Sequence, residues 1–323
     1  MKAIVQYAYG SADVLELAEV DVPVPRAGEV LVRVHAAGLD AGAWHLMTGT
    51  PLAVRVAIGL RAPRAKTVGM DVAGTVESVG PGVTGLTPGD EVFGVANAAF
   101  AEFAVAKAKF LAPKPAGVTF ELAAAVTVSG QTALQGLRAA GGVSPGQRVL
   151  ITGAGGGVGS FAVQLAAAAG ATVTGVCSAA KADLVRSFGA THVIDYATTG
   201  LDGAGGRYDI ILDMAGNRPL SELRAVLAPA GSLIIGGGEG GGKLLGGLDR
   251  QMRAPLGSLF GKKKMRGLVS LISRDDLLEL ADLLAAETIT PAIDRTFPLA
   301  EAADAMRYYA SGAVRGKVVI TMR

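Results

Sequence analysis

The run Arg148-Val149-Leu150-Ile151-Thr152 breaks into Gly153-Ala154-Gly155-Gly156-Gly157-Val158-Gly159 and resumes as Ser160-Phe161-Ala162-Val163-Gln164-Leu165-Ala166-Ala167. It reads as a strand, a tight turn and a helix. Residues without a Cβ let the backbone turn sharply and approach a pyrophosphate, and the N–H groups and dipole of the helix that begins there attract its charge. Ala154 stands where the first glycine of G-x-G-x-x-G is usual, leaving Gly156 and Gly159. A second strand, Ala171-Thr172-Val173-Thr174-Gly175-Val176-Cys177, follows at once and completes a βαβ unit with its loop at the carboxyl edge of a parallel sheet. The segment therefore predicts a dinucleotide site at Ala154, Gly155, Gly156, Gly157 and Val158.

A chain of 323 residues with 50% hydrophobic and 18% charged residues is long enough for two domains around large cores. Its formal net charge of +2 is too small to imply a polyanionic partner such as nucleic acid. Lys262-Lys263-Lys264 with Arg266 is the one dense basic run, and with only Phe260 nearby to stack on a base it reads as a solvated loop. Glycine or charge interrupts every apolar stretch before it reaches the length of a membrane span. Met1-Lys2-Ala3-Ile4-Val5-Gln6-Tyr7 enters an alternating strand pattern without the marks of a secretory signal, so a cytoplasmic location is expected. The single cysteine, Cys177, lies in an apolar strand and is expected to be a small buried hydrophobe.

Short strands divided by Gly and Pro fill the chain up to about Lys114, among them 30–35, 71–79, 90–94 and 100–105. From Thr119 helix and strand alternate, with helical stretches at 120–125 and 130–137. The fold class is thus α/β, a β-rich domain at 1–119 completed by 289–323 and a doubly wound domain with a parallel sheet at 120–288. The glycine-rich segment Gly236 to Gly247 begins at the carboxyl end of a sheet strand, where it is either a lid over a ligand or a plain linker.

Sites that prefer NAD carry an Asp or Glu at the end of the second strand to hold the ribose 2′-OH. Here that place is Ser178, and Lys181 follows at the start of the next helix. A hydroxyl and a cation suit a 2′-phosphate, which predicts NADPH over NADH.

The motifs Asp71-x-x-Gly74-x-Val76-x-x-Val79-Gly80, Pro88-Gly89-Asp90-Glu91-Val92-Phe93-Gly94, Ser129-Gly130-Gln131-Thr132-Ala133, Ala154-x-Gly156-x-x-Gly159-Ser160 and Arg315-Gly316-Lys317-Val318-Val319-Ile320 cover nearly the whole chain in order. The chain so resembles the medium-chain dehydrogenase/reductase superfamily, most of all its zinc-independent quinone oxidoreductase and enone reductase branch. The resemblance implies a GroES-like catalytic domain, an inserted Rossmann domain and an active site in the cleft between them. It also implies that Ser178, Lys181 and Tyr196 flank the adenosine phosphate, that Gly216, Gly236 and Gly237 line the ribose and nicotinamide, that Lys317 lies near the cofactor, and that the protein is a homodimer.

Zinc-dependent relatives carry a Cys where this chain has Asp40 and a His-Glu pair where it has Met70-Asp71. Asp40 and His45 do not make a three-ligand site, so no metal is expected. Without a metal to stabilise an alkoxide, a conjugated acceptor that delocalises charge into an enolate or hydroquinone anion is the better hydride acceptor. The segment Gly38 to Gly49, read as a loop, holds the candidates for the chemistry: His45 as acid or oxygen-binding donor, or else an ordinary loop histidine, and Asp40 at the nicotinamide or its ribose. Thr127 and Ser129, expected on a loop after the 120–125 helix, are polar groups near the nicotinamide or helix caps. The expected function is reduction of a quinone or enone. A zinc-free carbonyl or alcohol dehydrogenase and a non-catalytic NADPH-binding protein are the alternatives.

Overall fold

A computed structural model describes residues 1–202, 206–238, 242, 244–255 and 262–322. The chain forms two units, Met1–Gln131 with Ile272–Arg323 and Thr132–Leu271. In the first unit β1 (Lys2–Val5) and β2 (Glu16–Glu19) pair as a small antiparallel ribbon. β3 (Glu29–Leu39) leads into α1 (Ala41–Thr48) and the single turn α2 (Arg55–Ile58). β4 (Asp71–Val79), β5 (Glu91–Val95), β6 (Phe103–Lys107) and β7 (Leu111–Pro113) follow, and then α3 (Phe120–Ala139). Alternation along β3 places Val30, Val32 and Val34 in the core, each at most 2% exposed, while Arg33 and His35 face outward.

The second unit continues with β8 (Arg148–Thr152), α4 (Gly157–Ala168), β9 (Thr172–Cys177), α5 (Ala182–Ser187), β10 (His192–Asp195) and β11 (Tyr208–Asp213). After them come α6 (Leu220–Val226), β12 (Leu227–Ile235), α7 (Leu248–Arg253) and β13 (Lys264–Gly267). The chain then returns to the first unit with α8 (Arg274–Ala285), β14 (Ile293–Pro298), α9 (Ala302–Ala310) and β15 (Lys317–Thr321).

The sheet of the second unit is wholly parallel in the order β10-β9-β8-β11-β12-β13. That order reverses between β8 and β11, and ligands of such sheets bind at the carboxyl ends of the strands there. Val149, Leu150 and Ile151 are all 0% exposed, as a strand covered on both faces requires, and each contributes about 1.5–3 kcal/mol by leaving water. The first unit's sheet runs β14-β15-β3-β4-β5-β7 with β6 also on β3. Antiparallel pairing of β15 with β3 sets Val319 opposite Gly38, and β4 sets Asp71 opposite Gly38 from the other side. This register joins residues from the two ends of the chain at one place.

Two expectations change. The segment 38–49 is a strand end and a helix, because Asp40 caps α1 by accepting from Ala43 N at 2.8 Å and Gly49 closes it in the left-handed region at φ 61°. The stretches 120–125 and 130–137 are one helix, so Thr127 and Ser129 lie inside it and cap nothing. Gly130 is not a break there: a Cβ on it would meet Val126 Cγ2 at 2.8 Å and Leu280 Cδ1 at 3.1 Å, so it allows close packing of α8. Of the segment 236–247 proposed as lid or linker, 239–241 and 243 lie outside the described residues, as does Phe260, while Gly246 N donates to Gly242 O at 2.8 Å.

Candidate functional site

The turn between β8 and α4 is built by close backbone approach. Gly156, the N-cap of α4, donates its N–H to Gly153 O at 3.0 Å, and the first bond inside the helix runs from Ser160 N to Gly156 O at 3.0 Å. The N–H groups of Gly157, Val158 and Gly159 therefore have no partner within the helix. Within 4 Å a Cβ on Gly156 would meet only Gly153 O, at 3.3 Å, so the space over the turn is otherwise open. A Cβ on Gly159 would instead stand 2.1 Å from Gly153 O, which makes this glycine the point where helix and strand touch. Ala154 is 0% exposed and tied by its N–H to Val176 O at 3.1 Å.

β9 ends at Cys177, so Ser178 follows on the sheet edge, half-buried and making no capping bond of its own. Lys181 lies along the turn, its Cβ and Cδ each 2.9 Å from where a Gly155 Cβ would stand. Tyr196, 54% exposed, is drawn to the same edge by its N–H bond to Cys177 O at 3.1 Å. The structure thus brings Gly155, Ser178, Lys181 and Tyr196 together at the ends of β8, β9 and β10.

On the other side of the switch point β11 ends in Asp213, a carboxylate 0% exposed that the sequence reading passed over. It accepts from Thr152 Oγ1 at 2.6 Å, from Gly216 N at 3.3 Å and from Arg250 Nη2 at 2.8 Å. Its own carbonyl receives the N–H groups of Gly236 at 3.0 Å and Gly237 at 2.9 Å. Gly216, at φ 68°, packs so closely that a Cβ would come 2.4 Å from the Gly237 carbonyl carbon. Asp213 therefore knits the three predicted glycines into one wall at the carboxyl edge. A charged residue directly after the apolar run Ile210-Ile211-Leu212 is the signal that marks it.

The first unit carries a second polar cluster, buried where β3, β4, β15 and α3 meet. Lys317, 1% exposed, donates from Nζ to Ser129 Oγ at 3.1 Å and stands 3.5 Å from Asp71 Oδ2. Asp71 is 0% exposed and accepts from Val128 N at 3.3 Å. Asp40 is 6% exposed, and its Oδ2, like that of Asp71, is buried without a hydrogen-bond partner among the described residues. Gly38 permits this crowding, since a Cβ there would lie 2.6 Å from Ala124 O and 2.9 Å from Asp71 Oδ2. Thr127, also 0% exposed, bonds Ala123 O at 3.3 Å through Oγ1 and so serves the helix backbone. His45 is half-buried in α1 with Nδ1 2.6 Å from Thr50 O. A carbonyl only accepts, so Nδ1 carries the proton and Nε2 is the ring position that can gain or give one.

Two carboxyl groups beside one ammonium in a dry site cannot all be charged cheaply. Burial holds the Asp71 carboxyl well above the usual range of 3.8, and the Asp40 carboxylate raises it further against the opposing pull of Lys317. A group whose pKa is higher in the folded chain adds stability that is whole below the unfolded value and fades as pH rises through the folded one. The parent should therefore lose stability as pH climbs from about 3.8, and Asp71→Asn should lose less over the same span. Urea titrations at a series of pH values, read by Trp44, the single tryptophan and a residue packed on the first unit's core, would show the parent losing stability relative to Asp71→Asn as pH rises.

Comparison with known proteins agrees with this architecture. A model of the alcohol dehydrogenase GroES-like domain matches residues 26–116, and one of the zinc-binding dehydrogenase family matches residues 188–320. The chloroplast envelope quinone oxidoreductase homolog of Arabidopsis thaliana is 32% identical over 99% of this chain and 98% of its own length. The 2-methylene-furan-3-one reductase of Solanum lycopersicum is 31% identical over 99% of this chain and 79% of its own. A mycobacterial protein solved in complex with NADPH superimposes with a TM-score of 0.85 at 29% identity, over 99% of this chain and 100% of that one. Among the described residues no helix is long and apolar enough to cross a membrane. The wholly parallel, doubly wound sheet with its glycine turn, the GroES-like unit and these full-length likenesses place the chain in the medium-chain dehydrogenase/reductase superfamily, as an oxidoreductase of its quinone oxidoreductase and enone reductase branch.

Proposed function

We propose that this oxidoreductase uses NADPH and transfers hydride to a quinone or an α,β-unsaturated carbonyl without a catalytic zinc. The observation that carries the cofactor choice is the placing of Lys181 against Gly155 beside Ser178, with no carboxylate closing β9. Asp195, at the end of the neighbouring strand, turns its Oδ1 back to Ala197 N at 3.1 Å. A 2′-phosphate there meets a cation and a hydroxyl, and the N–H groups at the start of α4 take the pyrophosphate.

The donor set does not fit zinc. Met70 offers a thioether where zinc-dependent relatives have His, the ammonium of Lys317 stands 3.5 Å from Asp71, and Asp40 Oδ1 is engaged by Ala43 N. No three His, Cys, Asp or Glu among the described residues form a metal-holding group. Bound NADPH supplies a hydride, and a conjugated acceptor spreads the resulting charge without a Lewis acid. What the chain must add is a proton and a hydrogen bond to the acceptor oxygen. Nε2 of His45 is the group we assign to that work, while Asp40 binds the nicotinamide or its ribose, with Lys317 and Asp71 setting the charge around it.

Steady-state assays with 1,2-naphthoquinone and a simple enone test the reading. NADPH should exceed NADH in kcat/KM by about tenfold or more, and Lys181→Ala should remove most of that margin, about 1.4 kcal/mol, while leaving the NADH rate unchanged. Equal use of both cofactors by the parent would refute the assignment, as would an unchanged preference in the variant.

A further inference from the structure

We propose that the second unit carries a further binding site, separate from the glycine turn, for a small polyanionic ligand bearing phosphate or carboxylate groups. A cavity of about 610 Å³ opens among Arg207, Leu220, Arg224, Arg253, Lys263 and Met265. Arg207 immediately precedes β11 and Lys263 immediately precedes β13. Both strands are parallel to the rest of the sheet, so the cavity lies at its amino edge, opposite the carboxyl edge that holds the glycine turn.

Four cationic side chains from four segments converge on this space, and no carboxylate is among the described residues that line it. Convergence of like charge raises the energy of the empty site and lowers that of an anion placed in it. Lys263 shows the strain most clearly. Its Nζ is held at 2.6 Å from Arg224 O in the last turn of α6, and burial, then the charges of Arg207 and Arg224, push its pKa below the usual lysine value. The basic run that reads as a uniformly solvated loop in sequence is split by the fold: Lys262 and Lys264 are exposed, while Lys263 turns into the cavity.

Shape decides between ligand classes. A concave space of this volume is in the range of small-molecule sites, and its lining combines the apolar Leu220 and Met265 with the four cations. A nucleic acid would ask for an extended basic track with stacking aromatics, and among the described residues lining the cavity none is aromatic.

The test is calorimetric titration of pyrophosphate into the full chain at low salt with excess NADPH present, so that the glycine turn is not the site observed. The expected result is one saturable event that weakens with added salt and weakens at least tenfold in Arg253→Ala and in Lys263→Met. Arg253 is exposed at the end of α7, so its variant keeps the proposal testable should Lys263→Met misfold. NADPH affinity, measured separately by its fluorescence, should be the same in parent and variants. Absence of saturable binding, binding indifferent to Arg253→Ala, or binding lost whenever NADPH is added would overturn the proposal. So would a short oligonucleotide that displaces pyrophosphate from these residues at far lower concentration. A failure of NADPH to bind would count against the cofactor assignment alone.

Discussion

Lys317→Met is expected to destabilise the first unit by about 3–5 kcal/mol, the loss found when one partner of a buried ion pair is removed and the other is left behind. Lys317 is 1% exposed, Asp71 0% and Asp40 6%, so water cannot replace the missing ammonium. The methionine fills the lysine stem's volume, which confines the change to charge and to the bond with Ser129 Oγ at 3.1 Å. Asp71→Asn in the same chain should return a large part of the loss, because it removes the stranded carboxyl while keeping an acceptor for Val128 N. The coupling in the double-mutant cycle should exceed about 1 kcal/mol. Trp44 packs against Tyr309 with ring centroids 6.2 Å apart, so its emission reports this unit in urea unfolding. Strict additivity of the two changes would show that Lys317 and Asp71 do not act on each other.

How far the chain could be read without coordinates depended on whether the deciding interactions were local. β4 and β11 occupy the residues expected of them, since a strand buried in a sheet is a short apolar run bounded by breakers. The glycine turn was legible for the same reason: strand, turn and helix are consecutive. α1 was missed although its signals are present, an N-capping Asp40 and a left-handed Gly49, because the eight residues between them lack a strong apolar stripe. α3 was read as two pieces because Val126, Thr127 and Val128 are β-branched and Gly130 follows. Packing against Leu280 overrides that propensity, and nothing local announces it. The partnership of Asp71 with Lys317 was illegible in principle from spacing. It depends on β15 pairing with β3 at the register that sets Val319 opposite Gly38.

The two key glycines of the turn should fail in different ways, and this separation is the sharpest test of the cradle. At Gly159 an added Cβ would lie 2.1 Å from Gly153 O and 2.8 Å from Ala154 Cα, both backbone, so β8 and α4 must move apart to admit it. Gly159→Ala should therefore cost stability, about 3 kcal/mol in thermal or urea unfolding, and should also abolish NADPH binding as the N–H groups of α4 lose their alignment. At Gly156 the backbone is extended, φ −98° and ψ −177°, which any residue adopts, and the nearest atom to an added Cβ is Gly153 O at 3.3 Å. Gly156→Ala should fold with nearly the parent's stability. Its methyl group would occupy the open space over the turn, where the backbone has to approach the pyrophosphate, so NADPH should bind about 10–100-fold more weakly, a loss of about 1.4–2.7 kcal/mol. Fluorescence titration of NADPH beside a melting curve for each variant measures both quantities. Should Gly156→Ala bind NADPH as the parent does, the space over the turn is not where the dinucleotide lies, whereas a drop in affinity at unchanged stability assigns Gly156 to the ligand and leaves Gly159 to the fold.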